Sequence, residues 1–216
     1  MPEILPRHTM VKPWPRAWAA LMARRADLAN KPFVAEWANA GYPLVVRRPL
    51  CSDDPRTVCL GLPLPPAQGK HRIAVTLDPD GILRADPPPL LVAAAVSAPA
   101  RWRGCIDQLI RLDPTTRVFG SLAWQHLTAL PYLSVGSDLD LLWYLPPGGD
   151  VDTLLKGITA IDEIAPMRID GEVHNAAGAV QWRELRGAGA GSCIIVKGLR
   201  DVRVVCRADI LAGGMR

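Results

Sequence analysis

Asp138 and Asp140 are the residues of this chain whose type and spacing best suit a chemical task. They stand in Val135-Gly136-Ser137-Asp138-Leu139-Asp140-Leu141-Leu142-Trp143, where alternation puts both carboxylates on one face of a strand and Leu139, Leu141 and Trp143 on the other. Carboxylates a strand step apart can hold hard divalent cations, which take oxygen ligands and bridge phosphate oxygens. The chain supplies its own controls at the same spacing. Asp78-Pro79-Asp80-Gly81 reads as a turn, and Asp150-Val151-Asp152 follows Pro146-Pro147-Gly148-Gly149 and reads as a helix start with acids capping its first turn. Asp138 and Asp140 alone head an apolar strand, where two negative charges need a reason. The plain alternative is a pair of solvated acids at a strand edge.

Upstream, Gly120 closes the apolar run Arg117-Val118-Phe119, and Ser121 stands where a helix begins, with Ala123, Leu127 and Leu130 at helical spacing behind it. Backbone N–H groups at a helix N-terminus attract phosphate, and a glycine there permits close approach. A phosphate cradle would then meet the paired acids at the same strand ends.

A strand, Gly-Ser, helix, turn and strand with alternate aspartates resembles the signature of the polymerase-beta-type nucleotidyltransferase superfamily. Longer stretches narrow the likeness. Phe119-Gly120-Ser121-Leu122-Ala123-Trp124-Gln125 with Tyr132-Leu133-Ser134 running into the aspartate strand, together with Gly41-Tyr42-Pro43-Leu44-Val45-Val46-Arg47-Arg48-Pro49, Leu60-Gly61-Leu62-Pro63-Leu64-Pro65-Pro66 and Gly69-Lys70-His71-Arg72-Ile73-Ala74, resemble the phosphoribosyl-dephospho-CoA transferase of malonate decarboxylase, its holo-acyl-carrier-protein synthase.

That resemblance implies transfer of phosphoribosyl-dephospho-CoA from 2'-(5''-triphosphoribosyl)-3'-dephospho-CoA to a serine of the acyl carrier protein subunit, with release of pyrophosphate. It implies Mg2+ held by Asp138 and Asp140, and phosphates held by Gly120 and Ser121 with Ser137 as a further ligand. In the nucleotidyltransferase superfamily a third acid comes from a later strand. Alternation over residues 167–173 puts Arg168, Asp170 and Glu172 on one face, so Asp170 is the first candidate, Glu172 the second and Glu184 an outsider. The third acid would complete a second metal position or accept the serine proton. Arg47, Arg48, Lys70 and Arg72 are expected to face the substrate phosphates or an acidic protein, and Lys197, Arg200 and Arg203 are weaker candidates to steady the leaving pyrophosphate. Two rival functions stay open: a nucleotidyltransferase acting on a small hydroxyl compound or RNA, and a non-catalytic carrier-protein-binding protein that kept the fold.

Composition is compatible with this chemistry. A chain of 216 residues, 49% hydrophobic and 21% charged, can bury a sizeable core and is globular rather than disordered. The formal net charge of +4 is too small, and its cations too scattered, to expect nucleic acid as the partner. Five widely spaced cysteines without a Cys-x-x-Cys pair, and four scattered histidines, match no zinc template. Free thiols in a reducing cytosol are expected, hence a cytoplasmic protein. No long apolar stretch follows a basic start, and the most apolar segment, residues 90–96, is too short to span a membrane.

The elements that must position the acids follow from periodicity. An α+β fold is expected: a small N-terminal α+β domain over residues 1–88, bounded by Pro87-Pro88-Pro89, and a nucleotidyltransferase-like mixed-sheet domain over residues 89–216. In the first, helices are expected over 15–28 and 32–40 and strands over 44–48, 57–62 and 72–77, with 82–84 pairing back onto the last. Arg25 falls on the apolar side of the first helix, a conflict within that reading. In the second, helices are expected over 90–97, 101–112, 120–130 and 152–165, and closing strands over 193–196 and 202–206 around a turn at Gly198. The glycine-rich run 187–192 lacks the Gly-Lys-Ser/Thr ending of a phosphate loop and reads as a connector.

Overall fold

Val11 and Leu44, both wholly buried, are cross-strand partners at the middle of the first sheet. The computed structural model of the chain describes residues 5–69, 71–146, 148–175, 178–189, 191–199 and 201–211. It divides into two units, residues 1–88 and 89–216, with Pro87-Pro88-Pro89 at the division.

The first unit runs β1 (Met10–Pro13), α1 (Pro15–Arg24), α2 (Ala26–Ala29), α3 (Pro32–Ala35), β2 (Leu44–Val46), β3 (Val58–Pro63), β4 (Arg72–Leu77) and β5 (Ile82–Asp86). Its strands form an antiparallel sheet in the order β4-β3-β2-β1-β5. The helical segments are pinned by buried tryptophans: Trp18 Nε1 donates to the Val34 carbonyl at 2.9 Å, and Trp37 Nε1 to the Pro43 carbonyl at 2.9 Å.

Three expectations need correction here. The helix expected over 15–28 breaks at Arg25, whose backbone leaves the helical region at φ −122° and whose guanidinium pairs with Asp27 at 2.8 Å. The break removes a cation from the apolar side, where a continuous helix would have had to bury it. The helix expected over 32–40 is regular only to Ala35 and then loosens into turns that end at Gly41, φ +72°. Finally, β5 does not pair back onto β4. Pro79–Gly81 form a 3-10 turn, and β5 pairs antiparallel with β1 at the opposite edge. Strand β1, Met-Val-Lys-Pro, is too short to show a period of two.

The second unit runs α4 (Leu91–Ala94), α5 (Arg103–Leu112), β6 (Arg117–Val118), α6 (Gly120–Thr128), β7 (Leu139–Tyr144), α7 (Val151–Asp162), β8 (Ile169–Asn175), β9 (Gly178–Gln181), α8 (Trp182–Gly187), β10 (Cys193–Lys197), β11 (Val202–Cys206) and α9 (Arg207–Leu211). The sheet order is β11-β10-β9-β8-β7-β6, with β7 and β8 parallel and the other neighbours antiparallel. The chain as a whole is therefore an α+β protein of two units.

Helix α7 makes the parallel crossover from β7 to β8. Asp150 caps it by accepting the Thr153 N–H at 2.9 Å, and Leu154, Leu155, Ile158 and Ile161 form its buried stripe. That stripe packs against α5, whose Cys105, Ile106 and Leu109 are buried. Burial pushes the Cys105 thiol up to about 11. Strand β9 and helix α8 were not anticipated from the sequence.

Candidate active site on the second sheet

Gly120 is the first residue of α6 and sits at φ +61°, a left-handed conformation that side chains disfavour. A Cβ added there would run into the Asp140 carboxylate, with Asp140 Cγ 2.6 Å away and Cβ 3.0 Å away. The Phe119 N–H donates to the Asp140 carbonyl at 3.0 Å, which ties the helix start to the strand. Glycine is thus required twice at this position, once by the backbone and once by the acid beside it.

Strand β7 begins at Leu139, so Asp138 lies just ahead of the strand rather than within it. Leu139, Leu141 and Trp143 are fully buried, while Asp138 and Asp140 are half-buried. Among the described residues, Asp138 makes no ion pair and no side-chain hydrogen bond.

The parallel pairing of β7 with β8 sets Leu139 against Ile169 and Asp140 against Asp170. Residues in register on neighbouring strands point to the same face, so Asp140 and Asp170 stand side by side, about 4.8 Å apart at the backbone. The opposite face of β8 is closed by Trp143, whose ring lies where a Cβ on Gly171 would be, 2.7 Å from Cζ3. A side chain at Gly171 would push the strand off the tryptophan and its neighbouring acids out of register.

Asp170 Oδ1 accepts the Gly171 N–H at 2.8 Å and Gln181 Nε2 at 2.9 Å. Glu172, two residues on and facing Leu142 in register, is 6% exposed. Its carboxylate is met by Lys197 Nζ at 3.1 Å and His174 Nε2 at 3.4 Å. His174 packs in turn against Tyr144, ring centroids 4.9 Å apart. The face therefore changes character along the strands, from the neighbouring acids Asp140 and Asp170 to a packed end where Glu172 is paired with Lys197. Glu184 lies on α8 and accepts the Ile195 N–H at 2.7 Å, a structural tie away from the acid pair in the ladder.

Ser121 is half-buried at the start of α6 beside Gly120. Ser137 closes its own turn, its hydroxyl accepting the Ser134 N–H at 2.9 Å and lying 3.1 Å from Ser134 Oγ. Arg47 of the first unit is built into that unit. Its five N–H donors go to both Asp53 oxygens, at 2.6 and 2.9 Å, and to the carbonyls of Leu60, Arg48 and Val75. This pairing and the Leu50 N–H hold the Asp53 carboxyl well below the usual carboxylate range. Arg48 is half-buried and Arg72 exposed at the head of β4. Lys70 and Arg200 lie outside the described residues. Arg203 pairs with Asp201 at 3.0 Å.

Gln181 is a functional candidate that the sequence reading passed over. It carries a visible signal: Gln181-Trp182-Arg183-Glu184 has the spacing of a helix cap with an acid three residues on, and Gln181 Oε1 does accept the Glu184 N–H at 2.9 Å.

The residues fit a hard divalent cation. All the donors are carboxylate oxygens, which magnesium prefers. No cationic side chain pairs with Asp138 or Asp170 among the described residues, and the bare Cα of Gly120 leaves room for the Asp140 carboxylate beside it.

Comparison with known proteins identifies the family. Residues 90–208 match the model of the phosphoribosyl-dephospho-CoA transferase MdcG C-terminal domain, and residues 6–88 match its N-terminal domain. The chain belongs to the phosphoribosyl-dephospho-CoA transferase family. A relative of that name from Bradyrhizobium diazoefficiens is 38% identical over 212 residues, covering 96% of this chain and 92% of the relative. Relatives of the same name from Xanthomonas campestris pv. campestris and Xanthomonas axonopodis pv. citri are 37% and 36% identical, each covering 94% of this chain and 95% of the relative. No solved structure matches. The chain is accordingly a transferase enzyme, and among the described residues no helix is long and apolar enough to cross a membrane.

Proposed function

We propose that this chain transfers phosphoribosyl-dephospho-CoA from 2'-(5''-triphosphoribosyl)-3'-dephospho-CoA to a serine of the acyl carrier protein subunit of malonate decarboxylase, releasing pyrophosphate. The observation that carries the reading is the placement of Asp140 beside both Asp170 and the helix start at Gly120. The family names supply the group transferred, and the wider resemblance supplies the carrier.

Phosphoryl transfer of this kind depends on positioning and charge neutralisation. The first N–H groups of α6, at Gly120 and Ser121, are proposed to bind the phosphates that leave. Asp138, Asp140 and Asp170 are proposed to hold magnesium, with Asp138 and Asp140 as its principal ligands. Bound there, magnesium would neutralise the triphosphate and the departing pyrophosphate and lower the pKa of the attacking serine hydroxyl. Glu172, already paired with Lys197 and lying beside His174, is assigned to holding the far end of the face. In the first unit, Arg48 and Arg72 are proposed to recognise the acidic carrier. The reaction is proposed to take place in the cytoplasm.

Intact-mass spectrometry of the apo carrier protein, incubated with this enzyme, the triphosphoribosyl substrate and magnesium, tests the reading. The carrier is expected to gain the mass of one phosphoribosyl-dephospho-CoA unit, with pyrophosphate in the supernatant. An unchanged carrier mass beside released pyrophosphate would point to a small hydroxyl acceptor instead.

A further inference from the structure

We infer that Gln181 is a positioning residue for Asp170, fixing which carboxylate oxygen β8 presents toward Asp140. The inference rests on the reading of these acids as a magnesium site. Asp170 Oδ1 is occupied twice, by the Gly171 N–H and by Gln181 Nε2, and Oδ2 is left as the oxygen for a cation. The Gln181 amide cannot turn over without losing both its bonds, because its Oε1 accepts the Glu184 N–H at 2.9 Å while its Nε2 donates to the carboxylate. Glu184 is held in turn by the Ile195 N–H at 2.7 Å. A chain of oriented groups thus runs from β10 through α8 and β9 to the acid. Partners behind a ligand that fix its orientation typically change metal affinity or activity about 10–100-fold when removed.

Gln181 also caps α8, so the test separates the two roles. Gln181→Ser keeps a good capping residue but is too short to reach Asp170. Manganese titration of the substrate-free protein by electron paramagnetic resonance, with melting temperature measured alongside, gives a readout independent of turnover. Gln181→Ser is expected to melt within about 2 °C of the parent, to bind manganese about 10-fold more weakly, and to lower kcat more than it raises KM. Unchanged manganese affinity in Gln181→Ser, with binding abolished in Asp140→Asn, would overturn the positioning role alone. No manganese binding by the parent would overturn the underlying site.

A different observation supports a second inference. Cys193 opens β10 and Cys206 ends β11, and they are direct cross-strand partners, both exposed. The ladder is hydrogen-bonded at Gly198 with Asp201 and at Ser192 with Arg207, each at 3.0 Å. Alternation then makes Cys193 with Cys206 a non-hydrogen-bonded pair, where Cα atoms lie about 4.5 Å apart and side chains come closest. That separation is within the span of a disulfide, about 4.4–6.8 Å. The proximity of Cys193 pushes the Cys206 thiol up.

We propose that Cys193 and Cys206 are a thiol–disulfide exchange site. With a low-molecular-weight disulfide as oxidant, both thiols lose their protons, one S–S bond forms between them, and the oxidant leaves as two thiols. An exposed cross-strand bridge at such a pair is readily reduced again. After treatment with oxidised glutathione and proteolysis, mass spectrometry is expected to show a peptide pair joined at Cys193 and Cys206, without retained glutathione and reversed by dithiothreitol. Cys193→Ser should instead carry glutathione on Cys206. Parent protein that retains glutathione on both cysteines, with no joined peptide, would overturn the proposal.

Discussion

Asp140 and Asp170 are register partners across the parallel β7–β8 pair, so two carboxylates from residues thirty apart in sequence leave the sheet on one face. A divalent cation seated between them would take oxygen ligands from both strands. Asp140→Asn or Asp170→Asn is expected to reduce transfer at least about 1,000-fold and to remove the rise in melting temperature that magnesium gives the parent. Intact mass of the carrier and thermal melts with and without magnesium check both halves. A variant that kept full activity would remove its acid from the metal set.

Gly120→Ala should be more damaging than an alanine usually is. The left-handed backbone alone costs a side chain about 1–2 kcal/mol, and the new methyl would displace the Asp140 carboxylate. Melting is expected to fall by several degrees and transfer by at least about 10-fold. Loss of transfer without loss of stability would mean that the helix start adapts and the acid alone suffers.

Arg47→Ala should unfold the first unit more readily, by about 3 kcal/mol, since it strands Asp53 half-enclosed beside carbonyls. The pH dependence has a definite sign. Asp53 titrates lower in the folded chain than in the unfolded one, so its contribution is present above pH about 4 and is lost as pH falls toward the folded value. Acid titration followed by the fluorescence of Trp18 and Trp37 should show this loss in the parent and lack it in Asp53→Asn.

Thiol labelling should divide the cysteines by burial. Cys51, Cys193 and Cys206 are exposed, whereas Cys59 and Cys105 are buried, Cys105 with its thiol pushed up to about 11. Iodoacetamide at pH 8 is expected to modify the exposed three within minutes and the buried two only after unfolding. Peptide mapping reads the outcome, and early labelling of Cys105 would show that the α5–α7 packing opens.

Local pattern made much of the molecule legible. The strand over residues 72–77 and the crossover helix α7, with its Asp150 cap and apolar stripe, are set by periodicities confined to one segment. So is the alternation that frees Asp140 from the core side of β7. What segment-level reading missed has a common cause. β1 and β9 are four residues each, too short to carry a period, and Arg25 broke a helix because a neighbouring core left no room for its charge.

From the residues alone came the α+β class, the acids and the glycine, because side-chain type and alternation are properties of the chain itself. Tertiary structure decided which acids keep company: parallel register seats Asp170 rather than Glu172 against Asp140, and Lys197 arrives from β10 to neutralise Glu172. It also decided that Arg47 serves its own unit, since Asp53 and three carbonyls converge on it only after folding. Strand register is a relation between distant segments, set by how they pack, and no window along one strand contains it.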